Sequence, residues 1–296
     1  MEIVGHCRFS WLGISDTGRE LITKEDAQSI LWDPIRMAVR FYLFEHVMLP
    51  SVRSQTDQNF RFVVLVSDDM PAQYIDRLEQ LTAPDRNIEI LRSSSRDIGP
   101  ALRPLMNSVI ETNPKSVHFR LDDDDALCST YVEELRSIMI KHDLPVGSAI
   151  SFPRGANCFL HNGQAKHCEL YKSFIAIGLA FVNGETYRRN PFLVQHRKVG
   201  HRMPHYVDPR FMAYQRTLHT VNNTSGYDTD LYDNALNSPG IARILRNHPE
   251  IATNCVTPEV EQAINSAFPN TDGQSLRQAV ERSTNGRQLA ETYGFL

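Results

Sequence analysis

Four consecutive aspartates, residues 122–125, follow a short stretch of the chain in which apolar and polar side chains alternate. Val117, Phe119 and Leu121 occupy every second position of that stretch, which is typical of a β-strand. A helix is predicted to begin at about residue 129, because Ser or Thr at a helix start can cap the first turn. The four carboxylates should therefore lie between a strand and a helix, where open α/β sheets bind ligands.

Adjacent carboxylates repel one another, so this cluster is costly unless a cation neutralises it. Mg²⁺ and Mn²⁺ prefer oxygen ligands and often use one or two carboxylates together with substrate phosphates. The alternative is a solvated acidic turn that caps the next helix, although a cap needs only one aspartate. An EF-hand fits poorly, because Ala126 and Leu127 stand where that loop needs its turn glycine. The pattern favours a Mg²⁺ or Mn²⁺ site for a phosphorylated ligand.

The length and composition exclude several other classes of protein. The 296 residues suffice for one large α/β domain or two small ones, and the net charge of −4 argues against a nucleic-acid partner. The five cysteines are scattered without CxxC spacing, which is typical of reduced thiols. No apolar run of about 18 residues predicts a transmembrane segment. We expect a cytoplasmic protein, with peripheral membrane contact left open.

Strands and helices alternate in the first half of the chain, which predicts a mainly parallel sheet with right-handed crossovers. The apolar stripe of the helix at 34–49 should face the core, and Pro50 should kink or restart this helix. The predicted strands cover residues 3–11, 60–66, 87–91 and 116–121, and the predicted helices cover 34–49, 71–81, 100–112 and 129–142.

The pattern changes to antiparallel strands after residue 142. Asn162-Gly163 is a strong hairpin signal between strands at 158–161 and 164–167. The basic segment 188–206 is either a mobile loop over the site or a solvated surface, and its histidines lack zinc-ligand spacing. Further strands are predicted at 148–152, 175–182 and 218–221, a short helix at 210–216, and C-terminal helices at 239–247, 257–267 and 273–283.

Three segments of the chain resemble one group of bacterial enzymes. They are Arg8-Phe9-Ser10, then Leu49-Pro50-Ser51 with Gln55-Thr56 before the strand that ends at Ser67-Asp68-Asp69, and finally residues 121–127. The last two resemble the donor-binding half of family-2 GT-A glycosyltransferases. With the Arg-Phe-Ser opening, the set resembles the putative rhamnosyltransferase family.

The resemblance covers roughly residues 1–225. It implies an α/β, GT-A-like (Rossmann-like) domain over residues 1–225, with a mainly parallel sheet and antiparallel strands on the acceptor side. Residues 226–296 would then form a short helical C-terminal extension. The implied activity is transfer of a sugar, with rhamnose as one candidate, from a nucleotide-sugar to a glycan, a glycolipid or another hydroxyl acceptor.

The resemblance also implies roles for particular residues. Asp122 or Asp123 would contact the ribose and Asp124 would hold the metal, although four aspartates in a row leave this register open. Asp68 or Asp69 would meet the nucleobase. His219 would complete the metal shell, or else is a buried core histidine. Further candidate donor contacts are Arg8 and Ser10, near the end of the first strand, and Arg103 on the helix at 100–112.

Inverting transfer requires a general base for the acceptor hydroxyl. Asp208, after Val207, resembles the acceptor-side acid of inverting members and is the first candidate, with Glu185 as the second. Two other classes of function stay open. One is a metal-dependent phosphohydrolase of the haloacid-dehalogenase type, which also places Asp-x-Asp after a strand. The other is a non-catalytic module that binds a nucleotide-sugar or a glycan.

Overall fold

The computed structural model describes residues 1–13, 23–161, 163–219, 258–269 and 271–296. Its strands are β1 (Glu2–Arg8), β2 (Arg61–Ser67), β3 (Ile88–Ser93), β4 (Lys115–Arg120), β5 (Ala126–Leu127), β6 (Ala149–Ser151), β7 (Arg154–His161), β8 (Gln164–Tyr171), β9 (Ala180–Gly184), β10 (His205–Val207) and β11 (Tyr214–Leu218). Its helices are α1 (Lys24–Leu31), α2 (Pro34–Leu43), α3 (Leu49–Arg53), α4 (Ala72–Thr82), α5 (Ile98–Thr112), α6 (Tyr131–His142), α7 (Val199–Arg202), α8 (Pro258–Ala267), α9 (Gly273–Arg282) and α10 (Gly286–Tyr293).

Seven strands form the main sheet in the spatial order β10-β6-β9-β4-β1-β2-β3. The strands β3, β2, β1 and β4 are parallel to one another, and β9 runs antiparallel to both β4 and β6. The central strands are buried on both faces, as expected for a parallel sheet covered by helices. The predicted α/β fold with a mainly parallel sheet and added antiparallel strands is confirmed.

The helix predicted at 34–49 is α2, and it continues through a π turn, Phe44–Met48, into α3. Asp33 caps α2 by accepting the backbone N–H of Arg36, and Pro34 occupies the first turn. Within the π turn, the N–H of Leu49 donates to the carbonyl of Phe44, five residues earlier. Pro50 follows directly, so the change in hydrogen bonding confirms that the helix restarts there.

A second sheet has the order β5-β11-β7-β8. The predicted hairpin around Gly163 is confirmed, since β7 and β8 pair antiparallel. The predicted short helix at 210–216 is wrong, because residues 214–218 form β11, which pairs with β5 and β7. The strand predicted at 175–182 begins only at Ala180.

The last three helices pack on the main domain. The helices predicted at 257–267 and 273–283 are α8 and α9, and α10 is an additional helix. Gly286 of α10 lies against Ile35 and Val39 of α2, and the ring of Phe295 contacts that of Phe41 at a centroid distance of 5.7 Å. The helix predicted at 239–247 and the predicted domain boundary at 225/226 lie outside the described residues.

The basic segment folds into short helical turns. Pro191–Leu193 and His196–Lys198 form 3₁₀ turns, and α7 follows. Val199 of α7 is buried against Phe181 and Ala149 of the main sheet. Among the helices that the structure describes, none combines the length and the apolar character needed to cross a membrane.

Candidate functional site

The four aspartates lie at the carboxyl edge of the main sheet, as the sequence predicts. They follow β4 directly, and the N–H of Leu121 donates to the carbonyl of His6 on β1 at 3.0 Å. The short strand β5 begins at Ala126 and pairs with β11 of the second sheet. The aspartate turn is therefore held between the two sheets.

Arg40 of α2 reaches into this turn and contacts two of the carboxylates. Its Nε donates to Oδ2 of Asp123 at 3.1 Å, and its Nη1 donates to Oδ2 of Asp124 at 2.8 Å. Its Nη2 also contacts Oδ1 of Asp123. Arg40 is only 7% exposed and Asp123 is fully buried. The chain itself thus supplies a cation to the carboxylate cluster.

Arg40 is not among the site residues predicted from the sequence. A signal was present, because Arg36 and Arg40 lie one helical turn apart on an otherwise apolar helix. Arginines in such a position are rarely buried unless they are paired with an acid. The sequence does not show which acid pairs with Arg40.

Asp124 also accepts a hydrogen bond from Nε2 of His219, at 2.8 Å. Burial alone would raise the pKa of Asp124, but Arg40 and His219 outweigh it and hold this pKa well below its usual range. Burial lowers the pKa of His219, and the hydrogen bond to Asp124 only partly offsets this. The pair is therefore a carboxylate beside a neutral imidazole whose Nε2 carries the proton, so Nε2 would have to release that proton before it could bind a metal ion.

The outer two aspartates have different environments. Asp122 accepts two hydrogen bonds from Nη2 of Arg120, at 2.9 and 3.0 Å, and its side chain remains 35% exposed. Asp125 is buried and accepts the backbone N–H of Thr217 on β11 at 2.8 Å. Burial, together with the charges of Asp124 and Asp122, raises the pKa of Asp125 well above its usual range. Asp122 is thus the accessible carboxylate, and Asp125 joins the two sheets.

Arg8 and Ser10 lie at the same edge of the sheet. The guanidinium of Arg8 stacks on the ring of Phe192 at 4.3 Å from the centroid, and that of Arg120 lies 5.0 Å from the same centroid. Ser10 has a φ of +43° and accepts a hydrogen bond from Nη1 of Arg36 at 3.0 Å. The structure therefore gathers several arginines around the aspartates.

The other predicted donor contacts lie further out. Asp68 and Asp69 follow β2 at the carboxyl edge, and Asp69 forms an ion pair with Lys24 at 2.7 Å. Asp68 lies 3.6 Å from Nε of Arg92. Arg103 lies on the exposed side of α5 and pairs with none of the four aspartates.

Asp208 follows β10, which is parallel to β6 and so ends at the same edge of the sheet as β4. Three strand spacings separate β10 from β4, roughly 14 Å. The buried carboxylate of Asp208 accepts hydrogen bonds from Nε and Nη2 of Arg210, at 2.8 and 2.5 Å. Burial would raise the pKa of Asp208, but these bonds outweigh it and lower the pKa.

The structure does not bring Glu185 to the site. Glu185 directly follows β9, and Gly184 of β9 pairs with Lys115 at the start of β4. Because β9 is antiparallel to β4, Glu185 lies at the opposite edge of the sheet from the aspartates. The sequence predicts antiparallel strands after residue 142, but it does not show that β9 pairs with β4, and this pairing sets the position of Glu185.

The chain was compared with family models, with curated proteins and with solved structures. The family model described as "Putative rhamnosyl transferase" matches residues 2–229. The comparison with curated proteins finds no match.

Among solved structures, TarS from S. aureus in complex with UDP-GlcNAc has 12% identity and a TM-score of 0.40, over 100% of this chain and 92% of that one. The inositol-1-phosphate CTP transferase from T. maritima has 11% identity and a TM-score of 0.37, over 79% of this chain and 95% of that one. Because the family match spans most of the sequence, this chain belongs to the putative rhamnosyl transferase family and is a glycosyltransferase.

Proposed function

We propose that the protein transfers a sugar from a nucleotide-sugar to a hydroxyl group of a glycan or glycolipid, with rhamnose as the sugar that the family description suggests. The observation that supports this most directly is the pairing of Arg8 and Arg120 on the ring of Phe192, beside Asp122. Guanidinium groups bind phosphate oxygens in a fork geometry, so this pair suits the donor diphosphate. The accessible Asp122 would accept hydrogen bonds from the ribose.

A divalent cation, Mn²⁺ or Mg²⁺, belongs to this proposal. The donor atoms fit in kind, because Asp122 is accessible and a cation could replace the proton that Asp124 and His219 share in their 2.8 Å hydrogen bond. The described residues contain no group of three or more metal-ligating side chains, so donor phosphates would complete the shell. A bound cation would neutralise the charge that develops on the leaving diphosphate. Arg40 already contacts Asp124 and would share that carboxylate with the cation.

Inversion at the sugar carbon would use Asp208 as the general base. Asp208 stands at the edge of the sheet where β4 also ends, and burial keeps its carboxylate in place. The side chain of Asp208 is only 2% exposed and that of its partner Arg210 is 65% exposed, so Arg210 must move away before an acceptor hydroxyl can reach the carboxylate. Asp68 and Asp69 are the candidate contacts to the nucleobase.

A nucleotide panel tests the proposed function. Thermal unfolding is measured with UDP, dTDP, GDP and CDP, each with Mn²⁺ and with EDTA, followed by hydrolysis of the matching nucleotide-sugars. One nucleotide should raise the melting temperature by mass action, and more so with Mn²⁺. Asp124→Asn should abolish the Mn²⁺-dependent part of the shift. Asp143→Asn, at an aspartate whose side chain is 91% exposed, is the matched control.

The same assays separate the two alternative functions. Release of phosphate from simple phosphoesters without hydrolysis of any nucleotide-sugar would favour the phosphohydrolase. Nucleotide-sugar binding without turnover, in the presence of acceptor glycans, would favour the binding module. Either result would contradict the transferase assignment.

A further inference from the structure

The segment from residue 187 to residue 203 concentrates positive charge in a chain whose net charge is −4. It contains five arginine or lysine residues and no aspartate or glutamate. The segment begins at the edge of the sheet where Glu185 lies, because it follows β9. It then returns along the sheet to the carboxyl edge, where the ring of Phe192 meets Arg8 and Arg120.

A pocket of about 340 Å³ lies within this segment. Three cations line it, and within the described residues none of the three forms an ion pair with an acid. The remaining lining is largely apolar, and the side chain of Leu193 is exposed. The main lining residues are Tyr187, Arg189, Leu193, Lys198, Arg202 and Met203.

We propose that this pocket binds a sugar unit that carries a phosphate or a carboxylate group, as part of an anionic acceptor glycan. Arg189, Lys198 and Arg202 supply charge-assisted hydrogen bonds to the anionic group. Tyr187 and Leu193 offer apolar surface to the face of the sugar ring. The volume lies at the lower end of the range of small-molecule pockets, and apolar side chains stand beside the three cations in its lining.

The position of the pocket links it to the donor site. Leu193 lines the pocket and is the chain neighbour of Phe192, whose ring supports the two arginines beside Asp122. The chain itself therefore connects the lining of the pocket to the arginines beside Asp122. The role of the bound sugar as an acceptor rests on the proposed function. The binding of an anionic sugar to the pocket can be tested without it.

The test measures binding by saturation-transfer NMR with four probes: glucose 6-phosphate, glucuronate, glucose and inorganic phosphate. The pocket variant carries Arg189→Ala and Lys198→Ala. The matched control carries Arg188→Ala and Arg197→Ala, which remove the same charge from the same segment outside the pocket lining. Wild type and control should bind both acidic sugars, and the pocket variant should bind them about tenfold more weakly or worse.

Three results would overturn the proposal. Equal weakening in the pocket and control variants would mean that bulk charge attracts the probes. Equal binding of glucose would remove the role of the anion, and inorganic phosphate binding as tightly as glucose 6-phosphate would remove the role of the sugar. Nucleotide binding, measured on the same samples, should be unchanged in every variant. If wild type binds no nucleotide, the proposed donor site is contradicted, but the binding data for the acidic sugars still test the pocket.

Discussion

The guanidinium of Arg40 contacts the fully buried carboxylate of Asp123, 83 positions further along the chain. No other side chain or backbone group in the described part of the structure forms a hydrogen bond with that carboxylate. Asp123 therefore orients Arg40, and Arg40 in turn orients Asp124. The repulsion expected among neighbouring aspartates is relieved by an arginine from a different part of the sequence.

The first prediction concerns the energy of this buried ion pair. Arg40→Met should lower the free energy of unfolding by about 3–5 kcal/mol, because it leaves Asp123 charged, buried and unpaired. Urea unfolding measures the change. Arg40→Met combined with Asp123→Leu should recover part of the loss, because the second change removes the unpaired charge.

Arg53→Met is the control, since it breaks an ion pair with Asp85 in which Arg53 is 40% exposed, and it should cost at most about 1 kcal/mol. Equal losses in the free energy of unfolding for Arg40→Met and Arg53→Met would show that the buried ion pair contributes no more to stability than the exposed one.

The second prediction concerns Asp208 as the general base. Asp208→Asn keeps the shape of the side chain and should reduce transfer by about 10²–10⁴-fold, with donor and metal binding near normal. Because Arg210 lowers the pKa of Asp208, this carboxylate should be charged throughout the neutral range. Initial rates of the wild type, measured across a pH series, should therefore show no fall near neutrality that is caused by protonation of Asp208. The profile of the Asp208→Asn variant should have the same shape in this range.

Arg210→Ala separates chemistry from structure at this position. It should raise the pKa of Asp208, since the hydrogen bonds that stabilise the carboxylate are lost. The fall in rate on the acidic side of the pH profile should then begin at a higher pH. If Asp208→Asn and Arg210→Ala lower stability and activity to the same extent, the pair is a structural clamp and the base lies elsewhere.

The third prediction concerns acid stability. Nε2 of His6 and Nδ1 of His118 lie 2.9 Å apart inside the main sheet. Burial, with a smaller effect of Arg61, lowers the pKa of His6 to about 3, and burial also lowers that of His118 well below its usual value. Below about pH 6.5, His6 and His118 bind protons in the unfolded chain but remain neutral in the folded chain. Stability should therefore fall by about 1.4 kcal/mol per pH unit for each histidine.

Urea unfolding at pH 7.5 and pH 5.5 measures this loss, and NMR of the imidazole C–H signals identifies its source. Neither ring should titrate between pH 8 and pH 5 in the folded protein. A midpoint near 6.5 for His6 or His118 would contradict the assignment.

The fourth prediction concerns the packing of α10 on α2. A Cβ atom at Gly286 would come within 2.8 Å of Cγ2 of Ile35 and 3.0 Å of Cγ2 of Val39. Gly286→Val should therefore cost about 1–3 kcal/mol through overpacking, measured as a fall in the free energy of unfolding. Gly99→Ala, where the added Cβ has only ordinary contacts, should be neutral or slightly stabilising. A neutral Gly286→Val would mean that α10 moves freely on α2.

Local sequence patterns predict those parts of the fold in which each residue's neighbours along the chain decide its conformation. The alternation before Asp122, the apolar run of β2 and the Asn-Gly hairpin signal all belong to this class. The restart of the helix near Pro50 follows from its missing N–H group. These features place the aspartates at the carboxyl edge of the sheet without any knowledge of distant contacts.

Features that depend on distant pairing cannot be predicted in this way. Tyr214 and Gln215 form a strand because Leu127, Ala126 and Ala156 offer them partners, and nothing near residue 214 indicates this. The pairing of Arg40 with Asp123 is of the same kind. The position of β9 beside β4, which carries Glu185 away from the aspartates, is also decided by the order of strands in the sheet.

The contact between α10 and α2 also constrains the order of events during translation. Helix α2 carries Arg40, and its outer side is covered by residues that the ribosome adds much later, including Gly286 and Phe295. A nascent chain that ends before residue 286 would leave Val39 and Phe41, which are buried in the folded protein, without these contacts. Exposed apolar surface attracts chaperones and promotes aggregation. The aspartate turn is therefore expected to reach its final geometry late in synthesis, after most of the sheet has emerged.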